Sequence, residues 1–248
     1  MTFVRSTAAG GASSSPQLPI DRLIVALDVP SQAAAIELAG RLQGICRWVK
    51  VGMELYYSAG NAVVEDLRKR GFDVFLDLKL HDIPNTVAGA VRSVSGAGAS
   101  LLTVHAGGGA AMLEAAANAA SSPGAPRLLA VTVLTSMDAV QLRGVGVEGA
   151  PAEQVVRLAK LGTSCGISGF VCSPEEVGEL RSELGEAPLL VTPGIRPAGS
   201  EIGDQRRVAT PAMAIRFGAS MLVVGRPITQ AEDPGVAAES ILREMSSV

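Results

Sequence analysis

Cysteine is scarce and histidine scarcer: Cys46, Cys165, Cys172, His81 and His105 are all the chain has of either. The cysteines are odd in number and lack the short paired spacings of a zinc site, which argues against a disulfide framework or a structural metal. They read as reduced thiols of a cytosolic protein. Long runs of Lys or Arg are absent as well. A formal net charge of −3 without a basic cluster removes the electrostatic footprint that nucleic acid or an anionic membrane surface needs. No apolar stretch is long enough to span a bilayer. What the sequence has in quantity is aliphatic side chains. Apolar residues make up 48% and charged residues only 18%, the composition of a soluble protein with a large core.

Residues 1–19 (MTFVRSTAAGGASSSPQLP) are small, polar and rich in Pro, Gly and Ser, with no apolar segment that would serve as a secretory signal. They are expected to form a disordered tail. Their acid-free make-up also fits a transit peptide, for which the single basic residue Arg5 is little support. No linker-like segment divides residues 20–248, which are expected to form one domain.

Within that domain, short apolar runs alternate with longer stretches whose apolar residues recur at helical spacing. Eight such runs occur: 23–28 (LIVALD), 46–51 (CRWVKV), 73–79 (DVFLDLK), 100–105 (SLLTVH), 127–134 (RLLAVTVL), 168–172 (SGFVC), 189–192 (LLVT) and 220–225 (SMLVVG). Val177, Leu180 and Leu184, like Val155, Leu158 and Ala159, sit where helices would lay an apolar stripe on a sheet. An eightfold β-then-α alternation predicts a closed (β/α)8 barrel, since an open doubly wound sheet commonly has about five or six strands. The Gly/Pro-rich stretches 121–126 and 193–205 read as loops, the second long enough to be a lid.

Barrels of this kind carry their chemistry at the C-terminal strand ends. The first strand is expected to end in Asp28 and the second in Lys50. The third carries Asp77 and Lys79, two residues apart and so on one face of a strand. Asp82 follows, just before Pro84, a residue suited to open a helix. By itself D-x-K-x-x-D also fits a structural ion pair closing the barrel end. Ser31 competes for the helix-capping role that Asp28 would otherwise take, which frees Asp28 for a ligand. Lys50, in WVKVGM, needs a carboxylate or ligand to meet it. Arg196 in VTPGIRP and Gly225-Arg226 in VVGRPIT follow the seventh and eighth runs, where barrels often bind phosphate; solvent-exposed arginines beside tight turns are the plainer alternative. The HAGGG stretch at 105–109 lacks the spacing of a dinucleotide fingerprint and reads as tight strand-to-helix packing. The two histidines read as hydrogen-bonded structural groups in preference to a shared metal site, and Tyr56-Tyr57 as helix packing in preference to a dimer contact.

Six segments, in order, carry a family resemblance: VALDVP, WVKVGMEL, FLDLKLHDIPNTV, AVTVLTS, VTPGIRP with a downstream Gln205, and VVGRPIT. From Leu23 to about Ile228 the chain resembles the bacterial orotidine monophosphate decarboxylases, and DLKLHDIPNT is the most specific match. The resemblance implies cofactor-independent decarboxylation of orotidine 5'-monophosphate to uridine 5'-monophosphate, the last step of pyrimidine nucleotide synthesis, by a cytoplasmic homodimer with shared active sites. It implies a catalytic array of Lys50, Asp77, Lys79 and Asp82, with Lys79 the proton donor and Asp82 reaching the partner's site. Asp28 and Lys50 would hold the ribose hydroxyls, with Thr86 added across the dimer. Thr135 and Ser136 would lie by the pyrimidine. Gln205, Gly225 and Arg226 would bind phosphate, with Arg196 on the mobile loop beside it. No metal, nucleic acid or membrane enters this reading.

Two rivals stand beside it. Related barrels that act on keto-sugar phosphates, as decarboxylases or hexulose-phosphate synthases, use a similar D-x-K-x-x-D motif with magnesium and an enediolate; DIPNT and the Gln205 lid favour the nucleotide enzyme. A binding protein without turnover would have to retain costly buried charges unused.

Overall fold

The structure, a computed structural model, describes residues 18–197 and 208–248. Eight parallel strands close into a barrel in sequence order: β1 Leu23–Ala26, β2 Trp48–Gly52, β3 Asp73–Leu80, β4 Leu101–His105, β5 Arg127–Val131, β6 Gly169–Val171, β7 Leu189–Thr192 and β8 Met221–Val224. Pairing of Leu23 with Leu222 and of Ile24 with Val223 closes the ring. Helices follow the strands on the outside, so the (β/α)8 expectation holds.

Alternation along the strands divides the core in two. Ile24, Phe75, Leu101, Leu129, Leu189 and Met221 belong to a cluster filling the barrel interior. Their neighbours Val25, Val74, Leu102, Leu128, Leu190 and Leu222 face the helices in the larger outer core. Each large side chain fully buried this way contributes roughly 1.5–3 kcal/mol. The anticipated helical stripes are present: Val155 and Ala159 are buried on helix Pro151–Ser164, and Val177 and Leu180 on helix Val177–Leu184.

Only β4 and β7 end at the residue where their apolar runs end, and the ends of β1, β2 and β5 show why the others do not. β1 stops at Ala26, although the Leu27 N–H still donates to the Lys50 carbonyl at 3.0 Å. β2 extends through Gly52, because β3 continues to pair with it up to Asp77, so Lys50 lies within the strand and not at its end. β5 ends at Val131 and not at Leu134, because β6 stops pairing at Val171 and leaves no ladder beyond. The tail expectation falls largely outside the described residues, though Pro19, its last residue, opens the helical turn Pro19–Arg22. Of the proposed lid, residues 198–205 lie outside the described residues.

At the N-terminal end of the barrel Asp73 accepts from Arg47 at 2.7 Å and from Arg68, while Arg47 also holds Asp21 at 2.9 Å. Burial works to raise the Asp73 carboxyl, but the two guanidiniums outweigh it and hold it below the usual carboxylate range. This end of a barrel serves stability.

Candidate active site

The C-terminal strand ends converge on a cavity of about 640 Å³. Ser31 caps helix Gln32–Leu42 by accepting from the Ala34 N–H at 3.3 Å, so Asp28 is left free of that duty, as anticipated. Its Oδ1 accepts instead from Lys50 Nζ at 2.7 Å. Lys50 Nζ lies 3.9 Å from Asp77 Oδ2, and Lys79 Nζ donates to both carboxylate oxygens of Asp77 at 2.9 Å. Asp28, Lys50, Asp77 and Lys79 therefore form a row of alternating sign across β1, β2 and β3. Their side chains are 60%, 10%, 16% and 30% exposed, so the middle of the row is desolvated and its ends meet the solvent. Taking Lys50 and Asp77 out of water is tolerable because each has an opposite charge beside it.

Lys79 sits at a break in the ladder. Its φ of 51° places it in the left-handed region, the one non-glycine residue so placed among the described residues. The β3–β4 register is irregular between Leu76 and Leu80. Strict alternation would put Asp77 and Lys79 on one face of a regular strand. Here the strand is distorted at Lys79, and the ammonium nonetheless returns to the Asp77 carboxylate.

Thr135, Arg196, Gly225 and Arg226 line the same cavity as the charged row. Asp82, Thr86 and Ser136 do not. All three are exposed, and the Asp82 carboxylate accepts from the adjacent Ile83 N–H at 2.6 Å. Asp77 is thus the expected carboxylate that meets Lys79 within the chain, and Asp82 is not. Gln205 lies outside the described residues. Pro84 opens helix Pro84–Ser95 as the sequence suggested.

Sequence reasoning passed over Gly52, Glu54, Thr103 and Gln230. Gly52, Glu54 and Gln230 line the cavity. Thr103 is fully buried and hydrogen-bonded to Asp77. The inward parity of Leu101 on β4 is the signal that would have found Thr103, and the one-turn spacing from Arg226 the signal for Gln230. Among the described residues no group of three or more His, Cys, Asp and Glu side chains is arranged to hold a metal ion.

The HAGGG stretch packs tightly, in line with its expected role: a Cβ on Gly108 would fall 2.1 Å from Met112 Sδ. His105 Nδ1 accepts from the Gly107 N–H at 3.1 Å, and its ring stacks on His81 at 5.0 Å between centroids. Burial first, then His81 and Lys79, push the His105 imidazole below its ordinary range, in keeping with an acceptor nitrogen.

Known proteins are similar to this chain in architecture and in sequence. An orotidine 5'-phosphate decarboxylase of Halorhodospira halophila is 54% identical over 228 residues, covering 91% of this chain and 96% of that protein. One of Actinobacillus succinogenes is 50% identical over 230 residues, covering 92% and 99%. The crystal structure of orotidine 5'-phosphate decarboxylase from Lactobacillus acidophilus superimposes with a TM-score of 0.80 at 42% identity, covering 90% of this chain and 98% of that one. Residues 21–241 match a single family description throughout. By fold and by sequence, the chain belongs to the orotidine 5'-phosphate decarboxylase / HUMPS family.

Proposed function

We propose that this chain converts orotidine 5'-monophosphate to uridine 5'-monophosphate, the final step in making that nucleotide, without a metal or organic cofactor. The observation that carries the reading is the Lys79 ammonium, held by both oxygens of Asp77 inside a cavity that also contains Arg226. Breaking the bond to the carboxylate releases carbon dioxide and leaves an electron pair in the plane of the pyrimidine ring, where the π system cannot take it up. Stabilisation must then be electrostatic. An ammonium about 4 Å away contributes on the order of 4 kcal/mol at an effective dielectric of 20. Lys79 supplies that field and then protonates the ring carbon. Asp77 keeps Lys79 cationic and crowds the substrate carboxylate, a repulsion that disappears as the charge leaves.

In this scheme Asp28 and Lys50 hold the ribose hydroxyls, and Thr135 and Ser136 face the pyrimidine. Gly225, Arg226 and Gln205 take the phosphate, and Arg196 stands near the lid. Phosphate contacts remote from the breaking bond let binding energy enforce the crowded approach at the reacting carbon. Asp82 and Thr86 act in the site of a second copy. Their exposure outside their own cavity supports that assignment, as does the exposed apolar side chain of Ile83 next to Asp82. The protein is accordingly read as a cytoplasmic homodimer that does not engage nucleic acid or membrane. No helix among the described residues is long and apolar enough to cross a membrane.

Adding orotidine 5'-monophosphate to purified protein in excess chelator tests the proposal. The orotate ring's ultraviolet absorption is expected to fall. An unchanged spectrum rejects the assignment, and turnover that appears only on adding magnesium rejects the metal-free mechanism and reopens the sugar-phosphate alternative.

A further inference from the structure

We infer that Thr103, which none of the charged motifs contains, is a positioning residue that fixes the Asp77 carboxylate and the backbone of Lys79 through one hydroxyl. The inference rests on the decarboxylase reading and names a residue on which that chemistry depends.

Thr103 lies two residues after Leu101 on β4 and shares its inward parity. It is fully buried, between the apolar layer that includes Leu101 and the charged row. A hydroxyl there is costly unless bonded, and Thr103 Oγ1 makes two bonds. It accepts from the Lys79 backbone N–H at 2.8 Å and lies 3.0 Å from Asp77 Oδ1. The direction of both is fixed by chemistry. An N–H can only donate and an ionised carboxylate can only accept, so the single hydroxyl proton points at Asp77.

The β3 backbone explains why a side chain is needed. Leu76 pairs with Leu102 and Leu80 with Val104, so β3 takes four residue steps where β4 takes two. The extra length bulges, and Lys79 takes its φ of 51° there. Its N–H is met by the Thr103 side chain. The same hydroxyl joins Lys79 Nζ on Asp77 Oδ1, which sets the rotation of the carboxylate and turns Oδ2 toward Lys50, 3.9 Å away. A carboxylate that is to hold an ammonium and crowd a substrate carboxylate acts only in one orientation.

The test compares Thr103→Val with Thr103→Ser by steady-state kinetics on orotidine 5'-monophosphate, with thermal melting as the check on folding. Valine keeps the shape and removes the hydroxyl; kcat is expected to fall on the order of 10- to 100-fold, with KM within about threefold, because reacting groups are displaced while remote contacts stay. Serine restores the hydroxyl and is expected to keep kcat near the wild-type value. Should the valine variant not fold, Thr103→Cys replaces it, since Ser and Cys differ only in exchanging oxygen for sulfur, a weak donor. A valine variant with wild-type kcat overturns the inference, as do serine and cysteine variants of equal kcat. An inactive wild type overturns the decarboxylase reading instead.

Discussion

Lys79 meets three demands at once: a left-handed backbone, an ammonium shared between two carboxylate oxygens, and an N–H bonded to a neighbouring strand. Its partner Asp77 is the residue on which the electrostatic reading is most exposed. Asp77→Asn keeps the size and removes the charge, so the ammonium loses its counter-ion and the substrate carboxylate its repulsion. Loss of kcat on the order of 10²-fold is expected, the scale of a single electrostatic contact at a reacting centre. Full turnover would remove Asp77 from the mechanism. At this scale the charged residues were legible because a lysine or aspartate within an apolar strand is seldom kept there without a partner or a ligand. Thr103 was not, since a threonine in LLTVH fits a strand for its branched side chain alone. Nor does spacing tell whether Asp82 serves its own cavity or another's, because that depends on a surface contact between chains.

At the scale of elements, all eight strands were readable from alternation, while their ends were set by neighbours. β5 stops where β6 ceases to pair, and no property of VTVL announces that. The turn after β2 shows how an element's end shapes the site. Gly52 has an ordinary φ of −88°, so an alanine there strains no backbone. Its Cβ, however, would fall 2.9 Å from Lys50 Nζ and 3.0 Å from Asp28 Oδ1, between two groups that bond each other. Gly52→Ala is expected to raise KM for the nucleotide about tenfold, the equivalent of one weakened hydrogen bond to a charged group. The melting temperature should be little changed. Unaltered KM would mean that the pair yields without consequence to ligand binding.

At the scale of the molecule, the proposed assembly makes a prediction no single chain can satisfy. If Lys79 comes from one copy and Asp82 from the other, Lys79→Ala and Asp82→Ala homodimers each lack a complete site. A mixed two-fold dimer of the two variants has one site with both groups and one with neither, so it should recover about half the wild-type turnover per dimer. Co-expression with differently tagged chains and assay of the doubly purified species measures this. No recovery above the parents would assign Asp82 to its own cavity.

The ring closes where β8 hydrogen-bonds to β1, the last strand of the barrel to the first. Asp28 follows one of these strands and Arg226 the other, so a nucleotide gripped by its ribose on one side and its phosphate on the other would lie astride that joint. The substrate then acts as a clasp across the seam between the two strands. Holding the ligand and holding the barrel shut become, at that seam, a single task.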